Sequence, residues 1–189
     1  MSDFPAIPGP PRIPPLSENE YTDKARGFFS IVEGPGGRSG GTKLNIVLTL
    51  AQHPDLAIPY FNFGRYIINF TTVPPRLREL VTLRAAWLYK SDYEWSQHAA
   101  TAKRMGIPPV EIDAVKIGAD APIWSKHDRH VLRAVDQLHA NTTIDDETWA
   151  GMAEHLDQRQ LLDLLFIFGS YAMLAMVLNG VRVQKEAAK

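Results

Sequence analysis

The segment RLRELVTLRAAWLYKSDYEWSQHAATAKRMG, residues 76–106, contains two helical patterns separated by a short break. In the first pattern, leucines and Trp87 recur at three- and four-residue spacing with charges between them, as in a helix that packs against a core. The second pattern runs from Asp92 to Met105 and ends at Gly106, a residue type that favours the turn after a helix. The segment therefore predicts two consecutive helices.

The rest of the chain continues this helical pattern in both directions. Residues 44–52 and 55–70 read as two helices separated at Pro54, because a proline disfavours helix at the residue before it. Further helix starts are indicated by proline pairs or capping residues at Pro108-Pro109, Ser125 and Asp145-Asp146. We find no convincing strand pattern of period two. The predicted fold class is all-α.

Domain organisation follows from composition along the chain. Six of the 14 prolines lie in residues 1–16, which predicts a proline-rich N-terminal arm, and residues 17–189 are predicted to form a single all-helical domain. Five glycines in residues 33–43 predict a flexible loop. An alignment of Arg78-Glu79-Leu80 with Arg159-Gln160-Leu161 predicts an internal two-fold repeat.

Composition excludes several kinds of chemistry and partner. The chain has no cysteine, so it forms no disulfide, thiolate nucleophile or iron–sulfur cluster. Its 20 basic and 21 acidic residues give no excess of positive charge of the kind that binds nucleic acid, so nucleic acid is not a predicted partner. The apolar segment Leu161–Val181 has the length of a membrane span but contains Asp163, so we interpret it as the core helix of a bundle and predict no membrane. An early acid and the lack of an apolar leader predict a cytoplasmic protein.

Ser91, Glu94 and His98 form a polar stripe on the second helix of the opening segment. Because residues three or four apart share a helix face, Glu94 is predicted to meet His98, with Ser91 one turn before. Trp95 beside the stripe indicates that part of it faces the interior, where the pKa of a carboxyl group is raised. Antiparallel packing of the two helices would bring Glu79 near His98. Such a set contains a general acid and a general base.

Other uses of the same residues remain open at this point. A Glu-x-x-x-His pair is also typical of a solvated salt bridge worth a few tenths of a kcal/mol. Metal ligation by Glu94 and His98 lacks an evident third ligand, so no metal is predicted. Arg84 offers a cationic anchor for a substrate carboxylate, and Trp95 and Tyr93 are predicted to wall a substrate pocket, although aromatic residues at helical spacing are usually core residues.

Residues 76–115 resemble the carboxymuconolactone decarboxylase family, whose all-helical fold is shared with the alkylhydroperoxidase D-type proteins. The resemblance rests on Arg-x-x-Glu-Leu-Val from Arg76, Tyr-Glu-Trp-x-x-His from Tyr93, and Glu-Ile at Glu111. A looser likeness covers about three quarters of the chain. It implies an alkylhydroperoxidase D-like helical bundle that assembles as a homo-oligomer, either a trimer or a hexamer.

The peroxidase branch of this fold uses a glutamate, a Cys-x-x-Cys pair and a histidine as a proton relay to a redox-active thiol. In the present chain Glu79 falls on that glutamate, Ser91 and Glu94 fall on the two cysteines, and His98 falls on the histidine. A serine hydroxyl has no two-electron oxidation comparable to that of a thiolate, so thiol peroxidase activity is excluded. The decarboxylase branch works by acid–base chemistry on a lactone acid.

The resemblance thus implies a lyase, isomerase or hydrolase that needs no cofactor and acts on a small carboxylated, lactone or enone-like substrate. In this hypothesis His98 is the general acid or base, Glu94 is its partner or a second base, Glu79 is a relay, and Ser91 donates a hydrogen bond to substrate or water. The alternative is a non-catalytic helical oligomer or small-ligand scaffold in which Glu94 and His98 form a buried structural pair.

Overall fold

The structure is a computed structural model that describes Phe4, residues 9–34 and residues 43–186. These residues contain a short 3₁₀ helix, Glu18–Glu20, and the helices α1 (Asp23–Glu33), α2 (Asn45–Leu50), α3 (Pro54–Asn69), α4 (Pro75–Leu88), α5 (Asp92–Arg104), α6 (Pro109–Ile117), α7 (Lys126–Asn141), α8 (Asp146–Ala153) and α9 (Gln158–Val181). No strand occurs in the part of the chain that is described, and the predicted all-α class is confirmed.

The helix starts lie where the sequence signals place them. Helices α3, α4 and α6 each begin with a proline at the first helical position, where its missing N–H group costs no hydrogen bond. The Ser125 side chain accepts a hydrogen bond from the backbone N–H of Asp128 at the start of α7. Asp145 accepts one from Thr148 at the start of α8. Local chemistry therefore sets these boundaries.

The described residues divide into two compact units, and the predicted arm at 1–16 and single domain at 17–189 stay predictions. The first unit comprises Phe4 and Thr71–Met176, with α4 packed against α5, α6 and α7. Leu80, Leu83 and Leu132 in its core are completely buried. Burial of each such leucine stabilises the fold by roughly 1.5–3 kcal/mol.

The second unit comprises the described residues of Ala6–Phe70 and Val177–Lys189. In this unit α3 packs against α1 and α2, around a buried Phe28. The described end of the proline-rich segment is bonded to this unit: the Arg12 N–H donates to the Val181 carbonyl at 2.9 Å. Most of the predicted loop at 33–43 lies outside the described residues.

The internal two-fold repeat is not found in the described helices. A second copy of the α4–α5 pair would need a break in α9, but α9 is one helix of 24 residues. The turn between α4 and α5 depends on Lys90, which has a left-handed φ of 54°. At the aligned position Tyr171 continues the helix, so the sequence similarity does not extend to the structure.

Helix α9 is long and apolar enough to cross a membrane by length and composition, with a mean hydropathy of 2.1 over its most apolar window. Within that window 56% of the residues are buried inside the protein. The Asp163 carboxylate accepts a hydrogen bond from the backbone N–H of Thr72 at 3.2 Å. One face of α9 therefore packs as a core helix does.

Candidate active site

The turn between α4 and α5 positions the candidate site. Lys90 adopts a left-handed conformation, the Ser91 N–H donates to the Ala86 carbonyl at 2.8 Å, and the Lys90 N–H donates to the Trp87 carbonyl at 3.1 Å. This pair of bonds is a Schellman motif, which satisfies the last carbonyl groups of α4. It places Ser91 directly before α5, and α5 packs against α4.

Glu79 of α4 and His98 of α5 form the central contact of the site. Glu79 Oε1 lies 2.6 Å from His98 Nδ1, and the two side chains are 4% and 21% exposed, respectively. Because a carboxylate accepts hydrogen bonds, we assign the imidazole proton to Nδ1, which leaves Nε2 as the proton acceptor. The Tyr171 ring of α9 packs at right angles to the imidazole, with ring centroids 5.0 Å apart. His98 is thus oriented from two sides.

Glu94 is a buried carboxyl group in an unusual environment. It is 2% exposed, and neither of its oxygens has a hydrogen-bond partner among the residues described. Burial raises the pKa of Glu94 well above its usual value. The adjacent Ser91 hydroxyl lowers this pKa to a smaller extent, although it makes no hydrogen bond of normal geometry with the carboxyl group. Burial therefore favours the protonated form of Glu94, which can donate a proton.

Ser91 and Glu94 have the spacing of a helix capping box without its hydrogen bonds. Ser91 is the residue before α5 and Glu94 the third residue within it, yet the Ser91 side chain makes no capping bond. Its hydroxyl is buried and, within the described ranges, has no partner. Each unsatisfied buried polar group costs about 1–3 kcal/mol. A fold that keeps two of them side by side has a feature typical of functional sites.

The prediction that helical spacing pairs Glu94 with His98 is corrected by these contacts. Both residues lie on α5 four positions apart, but the hydrogen-bond partner of His98 is Glu79 of α4. The predicted approach of Glu79 to His98 is confirmed. The spacing rule failed because Glu94 is buried in the interior, while a carboxylate from the neighbouring helix reaches Nδ1.

Arg84 is not available as the predicted anchor for a substrate carboxylate. It is 7% exposed, and its Nε lies 2.6 Å from Oδ1 of Asp136. Its Nη1 donates to the carbonyl oxygens of Val115 and Lys116 at 2.9 and 2.8 Å. The guanidinium group therefore joins α4 to the end of α6 and to α7. Its role is structural.

Trp95 and Tyr93 are core residues in the described structure, 8% and 5% exposed. The Trp95 ring centroid lies 5.4 Å from that of Trp87 and 6.0 Å from that of Phe4. The Lys116 ammonium group lies 5.6 Å from the Trp95 ring. These contacts account for the aromatic residue at position 95 without a ligand, and the predicted pocket walls gain no support.

Sequence reasoning missed Tyr171, whose ring contacts His98. It lies in the middle of an apolar helix, and no signal in the sequence distinguishes it from its core neighbours. No cluster of three or more His, Asp or Glu side chains suited to a metal ion occurs among the described residues.

Residues 54–137 match the sequence model of the Carboxymuconolactone decarboxylase family. No curated protein matches the chain in sequence. The fold is similar to that of an uncharacterised peroxidase-related protein with an alkylhydroperoxidase D core from Ralstonia eutropha JMP134, with a TM-score of 0.77, 18% identity and coverage of 95% of both chains. A peroxidase-related protein from Silicibacter sp. TM1040 gives a TM-score of 0.75 at 14% identity, covering 98% of this chain and 91% of that one.

A third similar structure is the debrominase Bmp8, in a variant with a cysteine replaced by alanine and in complex with 2,3,4-tribromopyrrole. Its TM-score is 0.72 at 18% identity, covering 93% of this chain and 91% of that one. At such low identities these likenesses show the fold alone, which is alkylhydroperoxidase D-like. The match over residues 54–137 and the fold make this chain similar to the carboxymuconolactone decarboxylase family, and the chain, which has no cysteine, lacks a Cys-x-x-Cys motif.

Proposed function

We propose that this protein is an acid–base enzyme of the carboxymuconolactone decarboxylase type that acts without a cofactor on a small carboxylated, lactone or enone-like substrate. One arrangement carries the proposal. A buried neutral carboxylic acid, Glu94, lies on the same helix as His98, whose imidazole is hydrogen-bonded to Glu79.

The two groups have complementary protonation states. The Glu79 carboxylate accepts the Nδ1 proton of His98, which fixes the tautomer and leaves Nε2 as the proton acceptor. Glu94 keeps its proton because ionisation in the interior is unfavourable. A site in which the environment separates an acid from a base in this way can remove one proton and deliver another in a single turnover.

Three reactions of the proposed substrate class use these groups. In a decarboxylation, the bond to the carboxylate breaks, CO₂ leaves, and the electron pair that stays on the substrate carbon takes a proton from Glu94. In an isomerisation, Nε2 of His98 removes a proton beside the carbonyl and Glu94 delivers one at the far end of the conjugated system. In a ring hydrolysis, His98 takes a proton from the attacking water and Glu94 protonates the departing ring oxygen.

Reactions that depend on a thiol are not proposed. Although the similar structures include peroxidase-related proteins and a debrominase, this chain has no cysteine with which to reduce a hydroperoxide. The cytoplasmic location and the trimeric or hexameric assembly stay predictions from the sequence and its family resemblance.

A substrate panel tests the proposal. Wild type would be incubated with lactones, muconate-like diacids and β-keto acids, and the products identified by mass spectrometry. We expect turnover of one class, and its loss in His98→Ala and Glu94→Gln. His53→Ala, at an exposed histidine outside the site, is the matched control and should keep full activity. Equal turnover in wild type and both site variants would contradict the proposal.

The scaffold alternative is favoured by one observation: Ser91 and Glu94 are 0% and 2% exposed in the single chain. If the Glu79–His98 contact serves only the fold, breaking it leaves a charge unpaired in the interior, at a cost of about 3 kcal/mol or more. A loss of that size in His98→Ala, together with no turnover of any panel compound by wild type, would favour the scaffold.

A further inference from the structure

Three histidines come together where α8 packs against α7. His127 and His130 lie on α7, and His155 follows the end of α8. The rings of His127 and His155 are in edge contact, with their centroids 4.7 Å apart and an angle of 72° between the ring planes. We call these three residues the histidine cluster. It lies outside the candidate active site, and the reactions proposed for that site do not use it.

Two nitrogen atoms of the histidine cluster are buried without a hydrogen-bond partner. Nδ1 of His127 and Nδ1 of His130 are both shielded from solvent and have no donor or acceptor within reach in the described part of the chain. An unsatisfied polar atom in the interior is unfavourable, and native structures contain few of them. Two such atoms three residues apart on one helix face therefore need an explanation other than stability.

The ring of His130 packs directly on the backbone of α8. A Cβ atom at Gly151 would lie only 2.1 Å from Nδ1 of His130, so a glycine at this position is what allows the two helices to approach so closely. Gly151 is itself buried. The histidine cluster therefore reaches into the contact between α7 and α8, where a change in the charge of a ring acts on the helix contact itself.

The acid next to His127 already has partners. Asp128 is buried, and its Oδ1 accepts a hydrogen bond from Nη1 of Arg76 on α4 at 2.9 Å. Its Oδ2 accepts one from the Ser125 hydroxyl at 2.9 Å. Arg76 also donates from Nη2 to Glu111 of α6 at 2.6 Å. Asp128 thus belongs to an ion-pair network that joins three helices, and it does not reach Nδ1 of His127.

The acid next to His155 is also engaged. Glu154 accepts hydrogen bonds from Nζ of Lys126 at 3.2 and 3.0 Å, and its Oε2 lies 4.0 Å from Nε2 of His155. A positive charge on His155 is therefore offset by Glu154. The same charge lies beside the ring of His127, where it opposes a second positive charge.

The closed contact between α7 and α8 favours the neutral form of His127. Burial lowers the pKa of His127, the charge of His155 lowers it further, and Asp128 partly offsets both effects. His130 and Arg76 act in the same direction as His155. The geometry agrees, because an imidazolium donates from both nitrogens and Nδ1 faces no acceptor among the residues described.

We propose that the histidine cluster is a pH-sensitive switch, which keeps α8 against α7 at neutral pH and weakens that contact in mild acid. In the open form His127 is solvated and takes up a proton from about pH 6.5 downward, as a free imidazole does. The closed form binds fewer protons in this range. Each pH unit below about 6.5 therefore shifts the equilibrium toward the open form by at most about tenfold, until the pH reaches the lowered pKa of His127.

The switch is connected to the candidate active site through one helix. Helix α9 begins at Gln158, shortly after His155, and its Tyr171 ring contacts His98. The proposal does not depend on the proposed reaction. It is also separable from the effect of Glu94, because the raised pKa of that group on α5 lowers stability as the pH rises and not as it falls.

Hydrogen exchange of the full-length protein, followed by mass spectrometry between about pH 7.5 and about pH 5.5, tests the proposal. After correction for the intrinsic pH dependence of amide exchange, we expect protection of the α8 amides to fall about three- to tenfold across this range, and protection of α5 not to fall. His127→Phe keeps an aromatic ring but takes up no proton, so its α8 protection should not change with pH. His127→Gln, which is neutral and smaller, should behave in the same way.

His53→Gln is the control, since His53 is an exposed histidine outside the cluster, and it should show the wild-type fall. In His155→Gln the fall should be smaller than in wild type, because one of the charges that oppose protonation of His127 is removed. Protection of α8 that does not depend on pH in wild type would overturn the proposal. An equal fall in α5, or an undiminished fall in both His127 variants, would do the same.

Discussion

Nδ1 of His98 lies 2.6 Å from Oε1 of Glu79, although the two residues are 19 positions apart in the chain. The turn at Lys90 makes this contact, because it directs α5 back against α4. Glu79 is almost fully buried, whereas one fifth of the His98 side chain is exposed. The contact therefore joins an interior carboxylate to a group that a small molecule can reach.

Replacement of His98 by alanine separates catalysis from stability. For the substrate that wild type turns over, we expect kcat/KM to fall by about 10²–10⁴-fold, the usual contribution of a general acid or base. His98→Ala also leaves the buried Glu79 carboxylate without this donor, so the unfolding free energy should fall by about 1–3 kcal/mol, at about 2–4 °C in melting temperature per kcal/mol. Steady-state kinetics and thermal unfolding measure the two effects. Retained activity would remove the histidine from the mechanism.

Glu79→Gln should weaken the hold on the catalytic base His98 while leaving that histidine in place. Glu79 acts through His98, so we expect kcat to fall by about 10–100-fold while KM changes little, because an amide holds the imidazole in its tautomer less firmly than a carboxylate does. Steady-state kinetics and chemical denaturation measure the two effects. A purely structural Glu79 would lower stability and leave kcat of the folded variant unchanged.

Glu94→Gln should remove a pH dependence of stability. The raised pKa of Glu94 means that the folded protein keeps a proton that the unfolded chain releases above its usual pKa of 4.5. Wild type therefore loses stability from about pH 4.5 upward, by at most about 1.4 kcal/mol per pH unit, until the pH reaches the raised pKa. Glu94→Gln has no such loss, so the unfolding free energy of the variant minus that of wild type should increase with pH between about 4.5 and the raised pKa of Glu94.

Urea denaturation at a series of pH values measures this difference. Glu147→Gln, at an exposed position, is the control and should run parallel to wild type. If the unfolding free energies of Glu94→Gln and wild type instead changed with pH in parallel, Glu94 would ionise in the folded protein as it does in the unfolded chain.

Arg84→Met should be strongly destabilising without a specific effect on substrate binding. Its loss leaves the Asp136 carboxylate and two carbonyl oxygens without their donor, and we expect the unfolding free energy to fall by about 3–5 kcal/mol. Chemical denaturation measures the loss. An Arg84→Met protein of normal stability whose KM is selectively raised would restore Arg84 as a substrate anchor.

The helices were predictable because their ends depend on local chemistry. Prolines at the first helical position and side-chain caps at Ser125 and Asp145 act within one helical turn, so these helix starts can be predicted from neighbouring residues in the sequence. The prediction of an internal repeat was wrong because the local signal for a helix end is missing. A repeat of the α4–α5 pair needs a break near Tyr171, and no residue there interrupts α9.

The site was predictable only in part, because its contacts are made between helices. The family resemblance indicated that Glu79 and His98 act together, and their contact is confirmed. Asp136, the partner of Arg84, lies 52 positions further along the chain, and no local pattern connects the two. The sequence also did not predict that the Glu94 carboxyl group lacks a hydrogen-bond partner. Helical spacing predicts the helix face on which a side chain lies, but not which residues of other helices pack against that face.

The central claim is that Glu94 carries a proton at neutral pH beside the Glu79–His98 pair. Infrared difference spectroscopy of wild type against Glu94→Gln at neutral pH tests it most directly. We predict a C=O stretching band of a protonated carboxyl group in wild type that is missing in the variant. A wild-type spectrum in which Glu94 contributes only the bands of an ionised carboxylate would contradict the claim.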